Sequence, residues 1–138
     1  MHTDPQILAY HNTDYRVNGF RHPIRIGELS SEADELLREH NFTEWAFITA
    51  WNPMSEPLGD AENRLRNAEL KSQLSAWVVM EGAGCARDEK WPPEESFLVA
   101  GIPFESAVAL ARVYAQRAFV YGRAGEPAGL WVEGREGL

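Results

Sequence analysis

Apolar and polar positions alternate along the chain in two periods, one near two residues and one near 3.6, and the switches between them predict its elements. Tyr15-Arg16-Val17 and Ile24-Arg25-Ile26 have the two-residue period, with the turn signal Asn18-Gly19 between them, so a β-hairpin is expected at the N-terminal end. Before it, Ile7-Leu8-Ala9-Tyr10 reads as a short helical or docking segment. Ser30 and Ser31 offer caps for a helix through about His40, with Leu36 and Leu37 as its buried stripe and Glu32, Asp34 and Glu35 near its positive end. Trp45 to Trp51 is an almost uninterrupted apolar run that stops at Asn52-Pro53, the pattern of a buried strand. From Asp60 to about Ala76 the helical period returns through Ala61, Leu65, Ala68, Leu70 and Leu74. Val78 to Met80 reads as a strand ending at Gly82, and Gly82 to Glu94 as a long loop. Ser96 to Ala100 is a strand, Ala107, Leu110, Ala111 and Tyr114 mark a helix, and Ala118 to Tyr121 and Leu130 to Val132 close the series as strands.

Residues 45–122 thus read β-α-β-β-α-β, which predicts an α+β fold with a mixed or antiparallel sheet and a ferredoxin-like core. The N-terminal hairpin and helix and the C-terminal strand would extend that sheet. A doubly wound parallel sheet is the competing arrangement. In the ferredoxin-like arrangement four separated pieces share one pole: Trp51 to Pro53, the helix start near Asp60 to Asn63, the loop 82–96, and Gln116. Polar and loop-forming residues gather there, so the pole is the expected site.

Composition narrows the class without naming an activity. The 138 residues, 44% of them apolar, suit a single domain spanning 1–138. With 13 Lys and Arg against 21 Asp and Glu the net charge is −8, which argues against nucleic acid as partner, because phosphate binding calls for a basic face. No apolar run reaches the ~20 residues of a membrane span, and residues 1–5 do not read as a signal peptide, so a soluble cytoplasmic protein is expected. Cys85 is the sole cysteine, which rules out an internal disulfide and a cysteine metal cluster.

Several spaced motifs resemble a bacterial family known as domain of unknown function 3293. They are Thr49-Ala50-Trp51-Asn52-Pro53, Ser55, Glu62-Asn63 with Asn67, Trp91-Pro92, Glu95 to Val99, Tyr114-Ala115-Gln116 and Phe119 to Gly122. Ala9-Tyr10, Tyr15 to Val17 and Ile26-Gly27 also fit, so the resemblance runs from about Ala9 to Trp131. It implies no activity and no catalytic residues. Cys85 and the run Arg87-Asp88-Glu89-Lys90 depart from it, which weakens any role for that thiol.

The candidate binding residues are Asn52, Asn63, Asn67, Glu95, Ser96 and Gln116, amides and acceptors suited to a polar ligand or a peptide backbone. The competing reading is that the amides satisfy neighbouring backbone groups. Glu94 and Glu95 are adjacent and face opposite ways on a strand, so they cannot act together on one substrate, and Glu95 is the one assigned to the site. Arg64, Arg66 or Arg87 could hold an anion, and Trp51, Trp77 and Trp91 could stack on a ring. Ser96 lacks a histidine partner, since His2, His11, His22 and His40 all precede residue 41. No His spacing suits a metal, a Mg²⁺ held by Asp60, Glu62 and Asp88 is a weak alternative, and no motif calls for a cofactor.

Two functions follow. The favoured one is a non-catalytic binding or regulatory module that recognises a protein or small molecule, with homo-oligomerisation left open. The alternative is a small enzyme acting on a polar or nucleotide-like metabolite with Glu95 as general base. A cleft of ~300 Å³ or more beside a buried carboxylate with a raised pKa favours the enzyme.

Overall fold

The computed structural model describes residues 4–134. Helix α1 (Pro5–His11) leads into β1 (Thr13–Val17), then α2 (Ser31–His40) and β2 (Glu44–Ile48). A short 3₁₀ turn (Pro53–Ser55) precedes α3 (Asp60–Ser72). The hairpin of β3 (Val78–Ala86) and β4 (Glu94–Ala100) is followed by α4 (Phe104–Val113), β5 (Ala118–Arg123) and β6 (Gly129–Val132). The six strands form one sheet in the order β1-β3-β4-β2-β5-β6 with every neighbouring pair antiparallel. That is an α+β fold, and it excludes the doubly wound parallel alternative. α3 and α4 each connect strands that run the same way with one antiparallel strand between them.

Both faces of the sheet are covered, which is why its central strands read as continuous apolar runs. Ala46, Ile48, Phe97, Val99 and Phe119 face α3 and α4, and meet Leu70, Leu74, Ala107 and Ala111. The alternate residues Trp45, Phe47, Leu98, Ala100 and Val120 face the other way, against Ala33 and Leu37 of α2 and against Ile24. Each fully buried Leu, Ile or Phe contributes about 1.5–3 kcal/mol to folding.

α1 and α2 start on side-chain caps, whereas α3 and α4 have none. Ser30, not Ser31, caps α2 by accepting from the Ala33 N–H, and the Asp34 carboxylate instead accepts from the Gly125 N–H. α3 begins after Gly59 with no side-chain cap, so Asp60 is the first helical residue. Its buried stripe is not Ala61, Leu65 and Ala68. Leu65 is 72% exposed, and Asn63, Asn67, Leu70 and Leu74 face inward. Two buried asparagines made this helix look amphipathic around the wrong axis.

The N-terminal hairpin forms only as a single bridge between Tyr15 and Ile24. β1 pairs along its length with β3 instead, Thr13 opposite Ala86 through Val17 opposite Gly82. β3 therefore runs through the glycines where a loop was expected, and the connection to β4 shortens to residues 87–93. Gly82 is required there, since a Cβ would lie 2.1 Å from the Arg16 carbonyl oxygen. Among the described residues no helix is long and apolar enough to cross a membrane.

Candidate functional site

α2 is too short to cover its whole face of the sheet. Beyond it the face continues as Tyr15, Phe47, Ser96, Ala118 and Val120, and β3 contributes Gly84, which has no side chain to fill the space. The result is a cleft of about 370 Å³, within the ~300–1,000 Å³ usual for small-molecule sites. α1 roofs it with Gln6, Ala9 and Tyr10, while Trp51, Asn52 and Pro57 form one wall and Trp91 and Pro92 another.

The roof is tied down by polar contacts. Asp4 caps α1 by accepting from the Gln6 N–H at 2.8 Å. The Arg117 guanidinium donates to both the Asp4 carboxylate and the Gln6 side-chain carbonyl. Tyr15 donates its hydroxyl to the Tyr10 carbonyl at 2.8 Å, and Thr13 donates to that of Ala9 at 2.6 Å.

The wall after β2 is held by the asparagines. Asn67, 4% exposed, accepts from the Ala50 N–H and donates to the Glu95 carbonyl, both at 2.7 Å. Asn63, 1% exposed, accepts from the Asn52 N–H and donates to the Asn52 side-chain oxygen, both at 2.8 Å, and that oxygen also accepts from the Leu58 N–H at 3.0 Å. Arg66 donates to the Ala50 and Tyr114 carbonyls, so it serves the scaffold rather than an anion. Gln116 donates to the Trp51 carbonyl at 3.2 Å. This network holds three non-glycine residues in left-handed backbone, Asn52 (φ 45°), Met54 (φ 51°) and Ala115 (φ 55°), and the Met54 N–H donates to the Ala115 carbonyl at 2.6 Å. Such residues persist only where their surroundings over-determine them, and they cluster at functional sites.

Asn52, Ser96 and Gln116 line the cleft, as do Trp51 and Trp91. Asn63 and Asn67 stand behind the wall and spend their amides on backbone. Glu95 offers its carbonyl to Thr49 and Asn67, but its carboxylate is exposed on the α3 side of the strand, away from the cleft. Ser96 donates its hydroxyl to the Glu94 carbonyl at 2.9 Å. Trp77 packs on the α3 and α4 side, and Cys85 lies on the face of β3 opposite Gly84. Arg87 bonds Asp14 at 2.8 Å, together with Arg25 at 2.9 Å.

Glu94 is the residue that sequence reasoning passed over. It lines the cleft two positions before Ser96, on the same face of β4. Its carboxylate has no hydrogen-bond or ion-pair partner among the described residues, and burial pushes its pKa up to about 7. The available signal was the two-residue period: a Ser96 in the cleft implies Glu94 beside it and Glu95 behind.

None of the curated proteins or solved structures compared with the chain matches it. The model of a family described as a protein of unknown function (DUF3293) matches residues 48–119, just over half of the chain. The matched span holds the strained loop after β2, the asparagines of α3, Glu94, Ser96 and Gln116, and leaves the roof helix outside. By that match, which covers the walls and part of the floor of the cleft, the chain belongs to the DUF3293 family.

Proposed function

We propose that this domain binds a small molecule held between α1 and the sheet. The observation that carries the reading is the 370 Å³ cleft, walled by Tyr10, Tyr15, Phe47, Trp51 and Trp91 and holding one half-buried carboxylate. Rings of this kind supply contact area at little entropic cost, and a few polar groups orient what they enclose. The polar residues first expected to recognise a ligand are largely spent on the scaffold, so recognition falls to the rings, Glu94 and the Asn52 and Gln116 edge.

A fragment screen followed by tryptophan fluorescence tests the reading, because Trp51 and Trp91 both line the cleft. Gly84→Leu is the control. A Cβ at Gly84 meets nothing nearer than 3.7 Å, so the longer side chain projects into the space a ligand needs. Hits should quench or shift the emission of the wild type and lose binding in Gly84→Leu while Glu95→Gln keeps it. Hits that persist in a folded Gly84→Leu refute the assignment.

A second reading is favoured by Glu94 itself. A carboxyl group with a pKa of about 7 beside a cleft is poised to give or take a proton near neutral pH, which moves the general-base role from Glu95 to Glu94. Turnover that Glu94→Gln abolishes without loss of binding supports the enzyme, and binding with no turnover supports the module.

A further inference from the structure

Resting on the reading of the cleft as a small-molecule site, we infer that its ligand is a small organic cation, an amine, amidine or protonated nitrogen heterocycle whose N–H groups meet the Glu94 carboxylate. Three observations converge on this class. Among the described residues Glu94 is the sole Asp or Glu lining the cleft, and no Lys, Arg or His lines it to balance that charge. The carboxylate has no hydrogen-bond or ion-pair partner among the described residues, so its oxygens are left to whatever enters. Around it stand aromatic rings, whose negative faces attract a cation as well as covering an apolar body.

The same arrangement argues against other occupants. An anion would meet a carboxylate and ring faces with no donor cation in compensation. A metal ion needs several oxygen ligands, and one carboxylate leaves it short, whereas an amidine satisfies both carboxylate oxygens with two parallel N–H donors. The net charge of −8 acts in the same direction at long range, since it raises the local concentration of cations around the molecule.

Three ring compounds of one shape and different charge make the test: benzamidine, benzamide and benzoate, titrated by calorimetry against the full chain at pH 7.5. Benzamidine should bind at least about tenfold more tightly than benzamide, and benzoate least of all. In Glu94→Gln, benzamidine should fall to the level of benzamide while benzamide is unchanged, with a melting curve confirming that the variant is folded. Benzoate binding as well as benzamidine, or a benzamidine preference that survives in Glu94→Gln, overturns the cation assignment and leaves the cleft reading standing. Failure of benzamidine to bind at millimolar concentration also overturns it. The fragment screen against Gly84→Leu then decides separately whether the cleft binds anything.

Discussion

Glu94→Gln replaces a group that the fold holds away from water with no compensating partner, and the consequence for stability has a definite sign. The carboxyl ordinarily titrates at 4.5 and in the folded chain at about 7. Below 4.5 both folded and unfolded chains carry the proton, and no penalty arises. Between 4.5 and about 7 the folded chain holds more protons than the unfolded one, so stability falls as pH rises. Above about 8 both states are ionised and the full penalty applies. The gap from 4.5 to about 7, at about 1.4 kcal/mol per pH unit, makes roughly 3.5 kcal/mol at its upper limit. The amide is nearly the same shape and pays no ionic desolvation. Glu94→Gln should therefore match the wild type near pH 4.5 and exceed it by about 2–3 kcal/mol at pH 8, on the order of 10 °C in Tm for a domain of this size. Paired thermal melts and urea titrations at intervals from pH 4.5 to 8 measure the difference directly. A difference that stays flat across that range, or that favours the wild type at pH 8, refutes the account of Glu94 as a buried, unpartnered carboxylate.

Asn67→Ala leaves the Ala50 N–H without its partner and the Glu95 carbonyl with Thr49 alone, and should cost about 1–3 kcal/mol in urea unfolding with the m-value unchanged. Gly122→Ala sets a Cβ 2.4 Å from the Trp45 ring, and about 1–3 kcal/mol of overpacking should appear as a lower denaturation midpoint. Asp14 has its pKa held down: burial alone would raise it, but Arg25 and Arg87 outweigh that, so its stabilising contribution is present above its ordinary pKa and is lost as pH falls through the lowered value. Asp14→Asn should accordingly flatten the acid limb of the stability profile, and an unchanged limb removes Asp14 from the account. Arg117→Ala breaks both side-chain ties to α1 and should speed hydrogen exchange in Pro5–His11 with little change in the exchange of β2 and β4.

α2, α4 and the central strands were legible because each buries a regular stripe or a continuous run, whereas the stripe read for α3 faces solvent and α1 buries no residue. Trp45 to Ile48 and Phe97 to Ala100 read as they fold. β3 was half legible: Val78 to Met80 carries strand-forming side chains, whereas Gly82-Ala83-Gly84-Cys85-Ala86 carries none. It is a strand because β1 and β4 pair with it from both sides, a long-range cause that no local window contains. The Tyr15 arm failed as a hairpin for the same reason, since β3 competes for its hydrogen bonds and Ile24 keeps just one bridge. At the site, the β-α-β-β-α-β order set Asn52, Asn63 and Gln116 at one pole, and in the fold Asn63 bonds Asn52 while Gln116 bonds Trp51. That order could not say whether those amides would face a ligand or backbone, because that depends on where the chain leaves its own N–H and C=O groups unpaired. The choice between Glu94 and Glu95 depended on which face of β4 the helices covered, and adjacent identical residues carry no information on that.

The roof of the cleft has a kinetic consequence. α1 is a seven-residue helix with no buried residue, held by Asp4, Gln6 and a few backbone carbonyls. A helix that short does not survive in water by itself, so releasing it from the sheet also unwinds it. Opening is then a local melting step whose rate is decoupled from unfolding of the core. For the ligand proposed above, exit past α1 occurs as often as those seven residues let go, and a compound that adds one contact to α1 would stay longer on that route without binding any better to the floor.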